Sequence, residues 1–356
     1  MPYLATPTTL PAERTGAHAP GPGAASASVL VRDLLTGPVR PAAVVAAGPR
    51  AAYLDVGGRL VAIVAAGGVR LPCAVVLVDP AARPPGVAVS GPAGPGPAVG
   101  PALADGRPAA LAVGTASAVG RPAALAVGEG AVHVGGHRAV AVRRWFDPRV
   151  RLTGLDPAAV ARLRATVRAR PCGDALLPAG AAGRLAEQLA GGRHRAAVSE
   201  LVGRGTGLTP AGDDLLAGAL AALRAARSPA ADGLGAATRD LVPGRTSHLS
   251  AALLVAADEG AVVPEAEAVL RALVPPHAPG LAVGDAVDRA AGRLLGVGHT
   301  SGWHLAAGLA VGAAHALDPP ARPHRAAAGS PSTAGLVDAG LADAGPRRVP
   351  AGGRSR

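Results

Sequence analysis

The apolar positions change their period near residue 150. From Val29 to about Val150 they fall in short runs, Val44–Ala46, Ala52–Val56, Leu60–Val64 and Ala74–Val78, with Gly or Pro between them. Runs of this length predict strands. Gly57-Gly58 predicts a tight hairpin turn between Ala52–Val56 and Arg59–Val64. Gly135-Gly136 predicts a second, between Ala131–Val134 and His137–Val142, with His133 and His137 exposed on either side of it. From Asp156 the period is helical. Asp156 as N-cap and Pro157 at the first helical position open a helix over 157–169. Further helices are expected at 180–190, 194–202, 210–226, 247–259, 264–273, 284–295 and 301–316. The pattern predicts an α+β chain: a small antiparallel β barrel or sandwich-like domain over 28–150, then an all-helical domain over 151–318.

Three segments escape either period. Residues 1–27 and 319–356 are rich in Pro, Gly, Ala and Arg; neither can bury enough large apolar surface to offset the entropy of ordering, so both are expected to be disordered. A low-complexity insertion at about 91–130 carries Gly-Arg-Pro-Ala-Ala-Leu-Ala-Val-Gly twice, from Gly106 and from Gly120. Two copies are too few for a solenoid.

Composition changes this picture in one respect. The 356 residues include no Lys, no Asn, one Gln (Gln188) and one Ile (Ile63), and abundant Ala, Arg, Gly and Pro. That skew is what GC-rich coding produces, so the net charge of +11 is weak evidence for nucleic acid. Aromatic residues make up 1% of the chain and the arginines are scattered, which argues against a stacking nucleic-acid surface. Cys73 and Cys172 stand far apart and read as buried hydrophobes rather than a zinc or disulfide pair. No apolar run reaches the roughly 18 residues of a membrane span, and the first residues do not resemble a secretory signal. A soluble cytoplasmic protein is expected.

The chemistry concentrates between Leu201 and Leu220. Gly203, Gly205 and Gly207 alternate, then Thr209-Pro210-Ala211-Gly212-Asp213-Asp214 leads into a periodic apolar run. Thr209 is the expected N-cap, Pro210 the first helical residue, and the aspartates fall in the first turn. Two later helix starts have the same character: Arg245-Thr246-Ser247-His248 and Gly298-His299-Thr300-Ser301-Gly302-Trp303-His304. If the three converge, free N–H groups and hydroxyls build a site for a phosphate or carboxylate. The candidate binding residues are then Gly203, Gly205, Gly207, Thr209, Gly212, Arg245, Thr246, Ser247, Thr300 and Ser301. Asp213, Asp214 and His299 are the candidate catalytic groups. No cofactor and no dedicated metal ligands are assigned, although the paired carboxylates can also take a divalent cation. Equally, each start can be no more than a well-capped helix.

These motifs resemble the AllH-like family, typified by a subunit of bacterial oxamate carbamoyltransferase and otherwise a domain of unknown function. The family pattern Gly-x-Gly-x-Gly-Leu-Thr-Pro-Ser-Gly-Asp-Asp is matched by Gly203 to Asp214, with Ala211 in place of Ser. Thr246, Ser247 and Ser250 match a second element. Gly298 to His304 match a third, with His304 where Asp is expected. The likeness extends over roughly 29–317. It implies a heteromeric enzyme of nitrogen metabolism that exchanges a carbamoyl group between phosphate and oxamate, with partner subunits. A non-catalytic assembly subunit and a metal-dependent hydrolase using Asp213, Asp214 and His299 are the competing readings.

Overall fold

The computed structural model describes residues 23–84, 124–170, 177–178, 180–275 and 283–318. Cys172, the first 22 residues, the tail from 319 and most of the low-complexity insertion lie outside the described residues.

The first half is a closed barrel. Its elements are β1 (Gly23–Ser28), a 3-10 turn (Val29–Val31), α1 (Arg32–Thr36), β2 (Arg40–Gly48), β3 (Ala51–Val56), β4 (Arg59–Val64), β5 (Ala74–Leu77), β6 (Leu125–Gly128), β7 (Ala131–Val134) and β8 (His137–Phe146). Around the barrel the order is β1-β5-β4-β3-β2-β6-β7-β8. Both glycine pairs turn hairpins as expected, with φ of +61° and +84° at Gly57 and Gly58 and +60° and +83° at Gly135 and Gly136. These are conformations that glycine adopts without a Cβ clash. Ala51 pairs with Val64 and Val56 with Arg59 across the first hairpin.

Three expectations are corrected here. The sheet is mixed rather than antiparallel: β1 runs parallel to β8, and β4 parallel to β5. Of the two architectures expected, barrel or sandwich, the barrel is the one formed, because β1 closes the gap between β5 and β8. Closure removes free strand edges. Gly23–Ser28, grouped by composition with the disordered leader, is that closing strand, and Leu125–Gly128 of the second repeat copy is β6. Finally, His133 is buried with its Nε2 3.0 Å from the Gly128 carbonyl, whereas His137 is exposed.

The second half is helical: α2 (Pro157–Ala169), α3 (Ala181–Ala190), α4 (His194–Leu201), α5 (Ala211–Ala225), α6 (Ala230–Leu241), α7 (His248–Asp258), α8 (Pro264–Ala272), α9 (Val283–Leu295) and α10 (Ser301–Leu317). Asp156 caps α2 by accepting from the Ala158 N–H at 2.8 Å. Helix α5 is buried on every face; only Arg224 is not, as befits a helix that is apolar all round. Helix α10 lies directly against it. A Cβ on Gly218 would stand 2.2 Å from the Leu305 carbonyl oxygen, and one on Gly308 2.1 Å from that of Leu215. The two backbones therefore approach as closely as glycine allows.

Helix α7 joins the two halves. Leu254 and Ala257 belong to the helical core, while Leu249 is buried in the barrel core with Ala252 and Leu253 packed against it. The α5–α10 and α5–α7 packing thus fixes where three helices begin.

Candidate functional site

The three helix starts singled out by sequence meet. The Asp213 side chain, 1% exposed, accepts from the Gly203 N–H at 2.8 Å through Oδ1 and from the Thr246 hydroxyl through Oδ2. Ser247 caps α7, its Oγ accepting from the Ser250 N–H at 3.0 Å, and donates to the Leu208 carbonyl. Thr209 Oγ1 lies 2.8 Å from Ser301 Oγ at the start of α10. The glycine loop is therefore tied at its entry by Asp213 and at its exit by the starts of α7 and α10.

The local sequence explains the loop. Gly203, Gly205 and Gly207 have φ of +70°, +118° and +89°, while Arg204 and Thr206 between them stay at negative φ. Backbone that alternates in hand turns successive N–H groups toward one side, a shape that receives anions. The spacing is also steric. A Cβ on Gly203 would sit 2.2 Å from the Arg245 carbonyl oxygen, one on Gly205 2.6 Å from the Ala211 nitrogen, and one on Gly212 2.0 Å from the Leu201 carbonyl oxygen. At Gly207 nothing stands within 4 Å, so its requirement is conformational alone.

The donors differ from those expected. Several N–H groups at the helix starts are already claimed: Gly212 donates to Arg204 O at 2.8 Å, Asp213 and Asp214 to Pro210 O at 2.9 and 3.1 Å, and Gly302 to Val297 O at 3.0 Å. A run of unclaimed donors lies one step earlier. Among the described residues, none accepts from the N–H groups of Gly205, Thr206 or Gly207. Thr209 is not the N-cap. Pro210 holds that position, and the Thr209 hydroxyl turns across to Ser301. Thr300 is the N-cap of α10 without a side-chain cap bond, its carbonyl instead accepting from the Trp303 and His304 N–H groups at 3.1 and 3.2 Å.

The two aspartates divide. Both are pushed above the usual carboxylate range, first by burial. For Asp213, hydrogen bonds from Thr246, Gly203 and Ser250 oppose that rise. For Asp214 the rise reaches about 8: burial leads, the Asp213 charge adds to it, and the Ser301 and Thr209 hydroxyls counter it only partly. Asp214 is 7% exposed and its Oδ2 is buried with no hydrogen-bond partner.

Other candidates stand apart. Arg245 is exposed and donates to the Ser199 carbonyl at 3.2 Å. His299 is exposed and enters none of these contacts. His248 faces a different cavity of about 200 Å³, between α7 and the barrel, shared with Leu60 and Cys73. His304 is buried, its Nδ1 3.0 Å from the Thr300 carbonyl and its ring edge-on to Trp303. Ser250, buried and acting on Asp213, was not among the candidate residues. Its only signal was its place in the Thr246-Ser247 element. Among the described residues no three His, Cys, Asp or Glu side chains cluster to hold a metal ion, and both oxygens of Asp213 are already engaged.

Comparison with known proteins bears on this same segment. The family model described as oxamate carbamoyltransferase subunit AllH matches residues 201–313, which span all three helix starts but less than half of the chain. The resemblance carried by the glycine and aspartate motifs is thus borne out over that stretch. No curated protein and no solved structure matches the chain. No helix among the described residues is long and apolar enough to cross a membrane.

Proposed function

We propose that this chain is a subunit of a carbamoyltransferase-like enzyme, and that the Gly203–Thr209 loop binds its small anionic substrate. The observation that carries this reading is the loop itself: unclaimed N–H groups at Gly205, Thr206 and Gly207, held in alternating conformation between two anchored ends. A carboxylate or phosphate, as in oxamate or carbamoyl phosphate, suits such donors. The Thr209 and Ser301 hydroxyls stand beside them. Donors fixed before the ligand arrives stabilise oxyanion charge without reorganising. The match of residues 201–313 to a carbamoyltransferase subunit family supports the choice of reaction class.

The test is thermal protection. A ligand at 100 times its Kd stabilises by about 2.7 kcal/mol, so saturating phosphate, carbamoyl phosphate or oxamate should raise the unfolding midpoint by several degrees. Protection by none of the three, with the partner subunits present as well as absent, contradicts the reading.

One observation favours a second reading, that of a non-catalytic assembly subunit. Asp213, Thr246 and Ser247 spend their hydrogen bonds holding the loop and helices together. Under that reading Asp214→Asn leaves turnover of the assembled enzyme nearly intact. Under the first, turnover falls roughly 100-fold, the scale of losing one preorganised group at the reacting centre.

A further inference from the structure

We propose that the β6 position of the barrel accepts either copy of the repeated nonapeptide, so that Leu111-Ala112-Val113-Gly114 can stand in for Leu125-Ala126-Val127-Gly128. The copies are offset by 14 residues. Exchanging one for the other moves that length of chain from the end of the barrel where β6 begins to the end where it turns into β7.

The inference starts from what the position demands. On one side of β6, Arg40, Pro41 and Ala42 of β2 pair with Val127, Ala126 and Leu125. On the other, Ala131 to Val134 of β7 pair with Gly128 to Leu125. Leu125 and Val127 are buried in the barrel core. Gly128 has a φ of +153°, and a Cβ there would stand 2.6 Å from the Pro38 carbonyl oxygen and from the Val39 backbone. The position therefore calls for apolar side chains at its first and third residues, on the face that the pleat turns inward, and for glycine at its fourth.

The first copy meets each demand. It lies outside the described residues, and its sequence is what qualifies it. Gly106 to Gly114 is identical to Gly120 to Gly128. The identity includes the approach to the strand: Ala124, whose carbonyl accepts from the Gly135 N–H at 2.8 Å, is matched by Ala110. The barrel, not the tetrapeptide, makes the strand. The same Leu-Ala-Val-Gly at Leu309–Gly312 is helical within α10.

What separates the copies is the connection to β7. The second copy reaches it through Glu129-Gly130, whose N–H groups donate to Gly37 O at 2.8 Å and Leu35 O at 2.6 Å. With the first copy in place those two residues keep their partners, and residues 115–128 become a loop to be closed. Closure entropy grows with the logarithm of loop length and disfavours this arrangement by roughly 50-fold. The second copy is thus the major occupant and the first a reserve.

The experiment puts a charge into the barrel core through one copy or the other. Val113→Asp, Val127→Asp and the double variant of the full chain are melted and followed by hydrogen exchange with mass-spectrometric readout. Val113→Asp should melt with the wild type. Val127→Asp should still fold cooperatively, at a lower midpoint, and the double variant should melt several degrees lower again or lose the barrel. Protection should pass from residues 123–128 in the wild type to 109–114 in Val127→Asp. If Val127→Asp and the double variant behave alike, the first copy gives no rescue and the proposal falls. It falls equally if Val127→Asp folds with its protection still on 123–128. A Val113→Asp protein that melts as low as Val127→Asp also overturns it, because the copies are then not alternatives.

Discussion

At the scale of the residue, adjacent aspartates on one helical turn do different work because of what faces them. Asp213 meets a backbone N–H and a hydroxyl and acts as a strut. Removing it with Asp213→Ala leaves the Gly203 N–H and the Thr246 hydroxyl unsatisfied, and should cost about 1–3 kcal/mol in denaturant unfolding. Asp214 has a free buried oxygen and a raised pKa. The sign of its linkage follows. Between an unfolded value near 3.8 and a folded value of about 8 the native state holds the extra proton, so stability falls as pH rises through that window and levels off above it. Asp214→Asn should abolish this part of the slope and be the more stable protein at pH 9, by roughly 2 kcal/mol or more. Parallel stability–pH curves for the two proteins would contradict the assignment. Adjacent helical residues point about 100° apart. A division of roles, one Asp toward the site and the other orienting it or capping a loop, was therefore legible in the sequence, but not which Asp takes which role. The Asp-Asp pair could be placed in a first turn, but their partners, Thr246 and Ser301, come from distant segments brought in by packing.

At the scale of the element, the glycine loop makes two separable demands. Gly203 needs both positive φ and empty space, because a Cβ would meet the Arg245 carbonyl. Gly207 needs only the conformation. Gly203→Ala should therefore cost several kcal/mol or prevent folding, whereas Gly207→Ala should cost about 1 kcal/mol, the usual strain of a non-glycine residue at positive φ. Circular dichroism melts of the two variants compare them directly, and equal losses would argue against the close approach at Gly203. The Gly-x-Gly-x-Gly spacing made the loop readable in the sequence. Helix α6 was not readable. Gly233 and Gly235 break its apparent propensity, and they are there because the His194 ring and the Asp258 carboxylate pack against them. β1 was missed for a related reason. Its Gly-Ala-Ala-Ser-Ala-Ser lacks β-branched residues, and pairing to β5 and β8 alone makes it a strand.

At the scale of the molecule, the barrel and the helices are held in register by α7, and the site sits where that helix begins. Leu249 is buried in the barrel core one turn away from Thr246, which binds Asp213. Leu249→Ala should cost about 2–4 kcal/mol. Hydrogen exchange should also show faster opening both in β4 and in the Gly203–Thr209 loop. Faster exchange confined to the barrel would show that the two halves are not coupled through α7. The change of period near residue 150 made the two-part architecture legible. Barrel closure depended on parallel pairings between segments over a hundred residues apart, and these leave no periodic trace.

The most direct test of the anion site is a crystal structure of the chain with oxamate. The result expected is one carboxylate within hydrogen-bond distance of the Gly205, Thr206 and Gly207 N–H groups. Oxamate seated elsewhere, with the loop N–H groups free of it, would contradict the reading.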